Sequence, residues 1–409
     1  MNSSIYKSLK SDFISNADIN NKSTIELCIT EMSSGNFNKA VDLSEEIIKK
    51  DINDSIGWAS KALSQANLFD YGNNLFFLKS SLTSLEEFRN KTTLSNKEII
   101  KVESIFYTAF LDRTINLVNS RVEEVIELRK KALTEKKKAQ AAAIGAALSA
   151  YAGSQSKSDV GKILGYGGAV AGVAAAANFS SNADLLNNAS KGVFGVAVAN
   201  ISMSIGSAIS LKSNLSELDF EIRDTAASTL KNWINVLAFL YQQVIENLLV
   251  YAEDLKKKNV FSKSFREASI NLINAPEATQ FIYLSKITGI DKSIAEFSTL
   301  ENHMLSLKEV DEEAIKSDTK KMSIIFGSVM ALGFVIIGSA EYDENIKNIG
   351  ALVFWIGVIL AGYFSAKPIG KAGELKKSIS EFYNTMKNFK INTESLIVEN
   401  MIAQKKVIE

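Results

Sequence analysis

Two charge-free runs decide the fold of this chain: residues 322–340 (MSIIFGSVMALGFVIIGSA) and residues 348–366 (NIGALVFWIGVILAGYFSA). An α-helix rises about 1.5 Å per residue, so each run would span roughly 28 Å, close to the ~30 Å hydrocarbon thickness of a bilayer. Only the short polar stretch 341–347 (EYDENIK) separates them. The pattern therefore predicts an antiparallel transmembrane hairpin over residues 322–366.

The charges that flank this hairpin predict its orientation. Lys320 and Lys321 precede it and Lys367 and Lys371 follow it, whereas the turn carries more carboxylates than lysines. Lysines close to a membrane span favour the cytoplasmic side. If the hairpin is a permanent anchor, we therefore expect both chain termini in the cytoplasm and the turn outside.

Both runs carry small residues at four-residue spacing, which lets two helices approach closely. These are Ser323, Gly327 and Ala331 in the first run and Gly357 and Ala361 in the second. Trp355 lies at mid-span rather than at a membrane interface. The alternative is a hairpin buried inside a large soluble core, although core helices ordinarily keep a polar stripe that these runs lack.

The overall composition predicts an all-α protein. Its 409 residues are enough for two or three domains, and two prolines with 46% hydrophobic residues leave few helix breaks. Lysine plus arginine equals aspartate plus glutamate at 46 each, so no basic field favours nucleic acid as a partner. The single cysteine, Cys28, excludes an intramolecular disulfide and is typical of a reducing compartment.

Motifs of catalysis and cofactor binding are missing from the sequence. One histidine, His303, and one cysteine are too few for a Cys/His metal site. Residues 165–168 (GYGG) look like part of a dinucleotide loop, but Val170 stands where the third glycine is needed. The two charge-free runs hold no carboxylate for ion-coupled transport. We therefore expect a non-enzymatic protein with no cofactor, no metal and no small-molecule substrate.

The amino-terminal part carries one recognisable pattern. Gly35 is followed by Phe37 and Ala40, and Trp58 and Ala62 follow at the spacing of a second helix pair. This pattern resembles a tetratricopeptide repeat over about residues 23–88, with a degraded second repeat. The resemblance implies paired helices, with Trp58 filling the groove between them. It also implies a partner peptide or helix held by the side chains of Phe37, Ala40, Trp58 and Ala62. A plain helical bundle is the alternative, and residues 1–22 are expected to be a loosely held lead-in.

Two long amphipathic helices are predicted at 95–138 and 213–259. Ser95 and Glu98 form a capping-box pattern at the start of the first helix. A seam of apolar residues at alternating four- and three-residue steps runs along the second helix. It comprises Leu218, Ile222, Ala226, Leu230, Trp233, Leu237, Leu240, Val244, Leu248, Tyr251 and Leu255. We expect the two helices to pair as an antiparallel, coiled-coil-like unit.

Between these helices lies an apolar segment, residues 139–212, that is rich in glycine and alanine. Glycine is costly in an exposed helix, and close helix–helix packing offsets that cost, above all in lipid. The glycines expected to pack are Gly145, Gly161, Gly165, Gly168, Gly172, Gly195 and Gly206. Of three apolar pieces, only 192–211 is long enough to span a bilayer alone. The segment either enters lipid or packs as a tight soluble bundle.

The remaining sequence predicts shorter helices. Residues 260–321 are expected to form three or four of them, of which one begins at Pro276 and the next is broken at Gly289. After the membrane hairpin, glycines at 370–373 predict a break, and residues 367–409 predict a pair of amphipathic helices.

This architecture resembles that of α-helical pore-forming toxins and of bacterial effectors that join a sensing domain to a membrane hairpin. The resemblance rests on the order of segments and not on a shared motif. It implies apolar segments that leave a soluble form, insert into a bilayer and oligomerise. The alternative is an inner-membrane-anchored scaffold whose amino-terminal repeats bind a helical protein partner.

Overall fold

The protein is almost wholly helical, as its composition predicts. The computed structural model describes residues 4–70, 75–155, 159–257, 269–306, 324, 328–329, 331–332, 335 and 344–408. Within these ranges there is no β-strand, which confirms the all-α prediction. The helices are α1 (Ser4–Lys7), α2 (Lys10–Asn16), α3 (Lys22–Ser33), α4 (Phe37–Lys50), α5 (Ser55–Gln65), α6 (Leu75–Lys91), α7 (Asn96–Gln155), α8 (Asp159–Met203), α9 (Ile205–Asn214), α10 (Phe220–Lys257), α11 (Pro276–Thr288), α12 (Asp291–Ser306) and α13 (Glu344–Ile408).

The chain divides into two compact units, of which the first comprises Met1–Leu240 and Met401–Glu409. In its amino-terminal part α3 packs on α4, α4 on α5 and α5 on α6. Gly35 makes the turn between α3 and α4 with φ +79°, a left-handed conformation that glycine adopts at little cost. Asp54 caps α5, because its carboxylate accepts the N–H groups of Ile56 and Gly57 at 3.0 Å each.

The lead-in is a buried part of this unit, so the prediction that it is loosely held is wrong. Ile5 of α1, the α2 N-cap residue Leu9 and Phe13 of α2 are fully buried at four-residue spacing, and both helices pack on α3. Lys101 of α7 donates to the Ser8 carbonyl and to the Asp12 carboxylate, both at 2.7 Å. Three apolar side chains on one helical face therefore give this segment enough buried surface to dock.

The capping box predicted at the start of α7 is confirmed. The Ser95 backbone N–H donates to Glu98 Oε2 at 2.8 Å, and the Glu98 N–H donates to Ser95 Oγ at 3.4 Å. Hydrogen bonds from the Ser95 hydroxyl and backbone hold the pKa of Glu98 below its usual value. The helix then runs for 60 residues to Gln155, beyond the predicted end at residue 138. Its alanine-rich continuation explains the extra length, since alanine has the highest helix propensity.

The helix that runs along α7 is α8, and the two form a long antiparallel hairpin. Lys138 of α7 lies 5.8 Å from the Phe179 ring centroid of α8. Nearer the start of α7, the Asn214 side chain donates to Ser104 Oγ at 3.4 Å and Lys97 pairs with Asp219. Residues later in α7 thus contact residues correspondingly earlier in the returning chain, as in an antiparallel hairpin. The prediction that residues 213–259 run along residues 95–138 is corrected accordingly.

The apolar seam of α10 is buried over its described length, as predicted, although the partner differs. Every seam residue from Leu218 to Leu248 is less than a tenth exposed. Trp233 donates its indole N–H to Ser204 Oγ at 2.7 Å, where α8 gives way to α9. The Ser204 hydroxyl in turn donates to the Ile201 carbonyl at 2.7 Å. Ser204 therefore provides hydrogen-bond partners for the Trp233 indole N–H and the Ile201 carbonyl at the break between α8 and α9.

The second unit, Tyr241–Asn400, has an aromatic core. The Phe281 ring centroid lies 5.5 Å from that of Phe297 and 5.2 Å from that of Phe389. Pro276 is the first residue of α11, which confirms the predicted helix start. Gly289 breaks the chain as predicted, with φ +68°, although the helix that it ends is α11 itself and not the next one.

The carboxyl-terminal helix α13 is continuous for 65 residues, from Glu344 to Ile408. The predicted break at 370–373 and the predicted helix pair over 367–409 are therefore wrong. A break would expose up to four N–H groups and four carbonyls at the new helix ends, whereas each glycine costs only about 1 kcal/mol inside a helix. The flanking residues favour helix strongly enough for it to continue.

Candidate membrane interface

The distal ends of α7 and α8 carry two adjacent charge-free stretches. Residues 139–156 and 163–183 contain no charged side chain, and Lys157, Asp159 and Lys162 lie between them in sequence. Because α7 and α8 are antiparallel, these stretches form the two arms of the hairpin tip. Residues 139–155 span roughly 26 Å and residues 163–183 roughly 32 Å at helical rise. Both arms therefore match the thickness of a bilayer.

Sequence reasoning missed this match because it ended the first two apolar pieces at residues 153 and 177, before the polar but uncharged residues that follow each of them. Serine, asparagine and glutamine are tolerated in membrane helices far better than charges. Measuring from one charged residue to the next would have identified both arms.

On the arms, both branched aliphatic side chains that the structure describes are exposed, whereas buried and exposed alanines occur side by side. Ala146 and Ala183 are buried, whereas Ile144 is 63% exposed and Val173 is 62% exposed. A soluble hairpin would normally place its branched aliphatic residues in the helix–helix contact. The outer surface of the tip is therefore apolar and suits contact with another apolar phase.

The glycines predicted to pack have different environments. Gly145 and Gly206 are exposed, with no atom within 4 Å of the position that a Cβ would occupy. Gly195 is half-buried in α8, and the same helix contains Gly161, Gly165, Gly168 and Gly172. Contacts within one chain thus do not require glycine at 145 or 206. Packing of these two positions between copies of the chain stays a prediction.

A band of lysines marks the base of the apolar arms on α7. Lys138 is the last charged residue before the arm, and its Nζ lies 2.6 Å from Glu135 Oε1. Lys130 and Lys131 lie two turns earlier and border an open groove of about 660 Å³ between α7 and α8. This band is where the tip surface changes from apolar to charged.

The predicted hairpin at 322–366 is described only in part. Ser323, Gly327 and the turn at 341–343 lie outside the described residues. Ala331 is exposed and helical, while Gly357 and Ala361 lie within α13. The large apolar residues of this hairpin whose side chains are more than half exposed are Ile324 (59%), Leu332 (56%), Val335 (67%) and Trp355 (62%). These four side chains are not sealed inside a protein core.

Of the four residues predicted to form a partner groove, only Phe37 and Trp58 are partly accessible. Ala40 and Ala62 are fully buried between packed helices, so a contact with a partner is excluded for them. The Phe37 ring packs edge-on against Tyr6, with centroids 5.9 Å apart. Trp58 is half-exposed and does not fill a groove; its indole N–H donates to the Ile52 carbonyl at 2.8 Å. Gly57 instead provides the close approach, since a Cβ there would lie 2.9 Å from Ile47 Cγ2.

The buried thiol of Cys28 is unsuited to chemistry. Its Sγ donates to the Ala40 carbonyl at 3.3 Å, and burial raises the pKa of Cys28 to about 12. A thiol with so high a pKa is a poor nucleophile and a poor metal ligand at neutral pH. Within the described ranges, no group of three or more His, Cys, Asp or Glu residues is arranged to hold a metal ion.

Two described stretches are long and apolar enough to cross a membrane, Val173–Glu217 and Phe220–Val250. The first includes residues 192–211, which the sequence predicts as long enough to span alone. In each stretch 44% of the most apolar window is buried inside the protein, so more than half of it is at least partly accessible. Length and apolar character alone are weak support for a membrane span. No protein family, curated protein or solved structure matches this chain.

Proposed function

We propose that this chain is a non-enzymatic helical membrane protein that inserts apolar helices into lipid bilayers and perturbs them, in the manner of a pore-forming toxin or membrane effector. One observation carries the proposal. The tip of the α7–α8 hairpin consists of two charge-free arms of bilayer length, with Ile144 and Val173 exposed on its surface. The exposed apolar residues of the predicted carboxyl-terminal hairpin support the same reading.

The energetics of the tip favour the inserted state but oppose the crossing that leads to it. Burying one branched aliphatic side chain yields about 1.5–3 kcal/mol, and helices satisfy their own backbone hydrogen bonds in lipid. Each charge at the bilayer centre costs about 2.5–3.5 kcal/mol, and Lys157, Asp159 and Lys162, which lie between the arms in sequence, must pass that centre if the arms span the bilayer. The aliphatic side chains available between 139 and 183 are Ile144, Leu148, Val160, Ile163, Leu164, Val170 and Val173.

These three charges oppose the crossing, so insertion is expected to need a further contribution. Association between copies of the chain supplies one. The open face at Gly145 lets a second helix approach closely. Insertion and oligomerisation are therefore expected to occur together, and permeabilisation should rise steeply with protein concentration.

Release of a trapped dye from liposomes tests this function. Ile144→Asp places a carboxylate in the middle of an arm and is expected to slow release at least about 10-fold, because a charge in the bilayer core is costly. Ile126→Asp is the matched control, since Ile126 is also exposed on α7 but lies in its charged part. Equal rates for the two variants would exclude insertion of the tip. Wild-type protein that releases no dye at any protein-to-lipid ratio would exclude the function itself.

A membrane-anchored scaffold is the second candidate, favoured by the exposed apolar residues between Ile324 and Trp355. Fractionation with an alkaline carbonate wash distinguishes the two candidate functions. An anchored scaffold stays wholly in the membrane pellet with both termini cytoplasmic, whereas an inserting protein also has a substantial soluble pool. Recovery of a specific partner with the full chain, lost on Trp58→Ala, would further favour the scaffold.

A further inference from the structure

The open groove at the base of the tip has walls of contrasting chemistry. Lys130, Lys131 and Lys138 of α7 form one wall, and Asn182, Leu185 and Leu186 of α8 form the other. Leu185 is 64% exposed, so the apolar wall is open to solvent. With a volume of about 660 Å³, the groove has room for a phospholipid headgroup and the first carbons of an acyl chain.

The groove carries surplus positive charge. Its one carboxylate, Glu135, pairs with Lys138 at 2.6 Å, and Lys131 lies 3.9 Å from Glu127 outside the groove. Among the described residues, Lys130 has no acidic partner. The adjacent Asn182 amide adds a neutral donor that also suits a phosphate oxygen. The net field favours an anion, and the leucines favour one that is joined to a hydrocarbon chain.

The position of the groove matches this ligand. Residue 139 begins the charge-free arm directly after Lys138, and the arm extends about 26 Å from there to residue 155. If the arms occupy the hydrocarbon core, the groove lies at the level of the headgroups on the side from which the tip inserts. Lysines at that level are attracted to anionic lipids.

We propose that the groove between Lys130–Lys131–Lys138 and Leu185–Leu186 binds the headgroup of an anionic phospholipid and so selects anionic bilayers and limits the depth of the tip. This proposal rests on the proposed function, because it assumes that the arms enter a bilayer. The lysines hold the phosphate, and the leucines contact the adjoining acyl carbons. Charged shaft residues beyond the groove then remain in water.

The test measures flotation of the full-length protein with two kinds of vesicle. One kind is phosphatidylcholine, and in the other phosphatidylglycerol replaces about a third of it. The Lys130→Gln/Lys131→Gln variant is expected to bind the anionic vesicles about 10-fold more weakly, since two of three groove ammonium groups are lost. The matched control is Lys136→Gln/Lys137→Gln, which removes the same charge from the same helix at positions outside the groove. Its binding should fall less than about 3-fold.

Two further variants test each wall separately. Lys130→Arg/Lys131→Arg keeps the charge and should bind like wild type. Leu185→Ser should weaken anionic binding about 3-fold, because an exposed leucine contributes part of a full apolar burial. Leu133→Ser is its control, since Leu133 is also exposed, at 55%, but does not line the groove.

Equal weakening by Lys130→Gln/Lys131→Gln and by Lys136→Gln/Lys137→Gln would overturn the proposal, because the attraction would then come from all the lysines of this part of α7. Displacement of the protein from vesicles by millimolar inorganic phosphate would also overturn it, since the site would then take free phosphate. Dye release separates these failures from failure of the function. If wild type permeabilises both kinds of vesicle while the two lysine-to-glutamine double variants bind anionic vesicles equally, the proposed function is retained and the lipid site is excluded. If wild type permeabilises neither, the function falls.

Discussion

The packed helices of residues 4–94 and the arms of the α7–α8 tip use apolar side chains in opposite ways. Ile25, Leu63 and Phe88 in the first region are fully buried, whereas Ile144 and Val173 in the second are more than half exposed. The first region thus gains its hydrophobic stabilisation within one chain. The exposed side chains of the tip would gain theirs only if a bilayer or a second chain covered them. Apolar side chains on helices therefore form a closed core near the start of α7 and an open apolar surface near its end.

The largest contrast is expected in thiol reactivity. Cys28 is the only cysteine and is fully buried, with its pKa raised to about 12. At pH 8 such a thiol is about 10⁻⁴ thiolate, whereas an exposed thiol is roughly one-quarter thiolate. In the Ile144→Cys variant, a water-soluble maleimide should therefore modify position 144 at least about 10³-fold faster than Cys28.

Mass spectrometry of tryptic peptides measures the two rates in one sample. Because the thiolate fraction of a thiol rises tenfold per pH unit below its pKa, labelling of Cys28 should still be rising tenfold per unit at pH 9. Anionic vesicles should slow labelling at position 144 and leave Cys28 unchanged. Comparable rates at the two sites without lipid would show that the arm is covered in solution, and the contrast between the regions would then disappear.

Local sequence signals predicted helix boundaries well. The capping box at Ser95 and Glu98, the first-turn Pro276 and the stop at Gly289 are all confirmed. The buried seam of α10, which includes Trp233 and Leu240, follows from periodicity alone. Each of these features depends on neighbours within one or two helical turns, so it can be read from a short window of sequence.

Pairing and continuity could not be predicted in the same way. The seam of α10 specifies an apolar partner but not which one, and the connection between α7 and α8 carries no strong breaker. Glycines at 370–373 indicate a break when considered alone, yet α13 continues through them. At the candidate interface, the composition of the arms predicted an apolar role, whereas the groove beside Lys130 depends on which helices are neighbours.

The next contrast is in stability. Leu63→Ala should lower the free energy of unfolding of the α3–α6 region by about 2–5 kcal/mol, since Leu63 is fully buried and its removal leaves a cavity. The same substitution at Leu185, which is 64% exposed, should change stability by less than about 0.5 kcal/mol. Native-state hydrogen exchange of the α5 and α8 amides gives both values locally. A loss above 2 kcal/mol for Leu185→Ala in lipid-free protein would mean that this side chain is already covered.

The smallest contrast concerns a single methyl group. Gly57→Ala places a Cβ 2.9 Å from Ile47 Cγ2, so a packed helix must shift, and we expect a net loss of about 1 kcal/mol. Gly145→Ala meets no atom within 4 Å and should stabilise α7 by about 0.5–1 kcal/mol through helix propensity. Hydrogen exchange at low protein concentration measures both. If Gly145→Ala destabilises only as the concentration rises, position 145 lies in a contact between copies, because a methyl group that is harmless in one chain then obstructs the approach of a second.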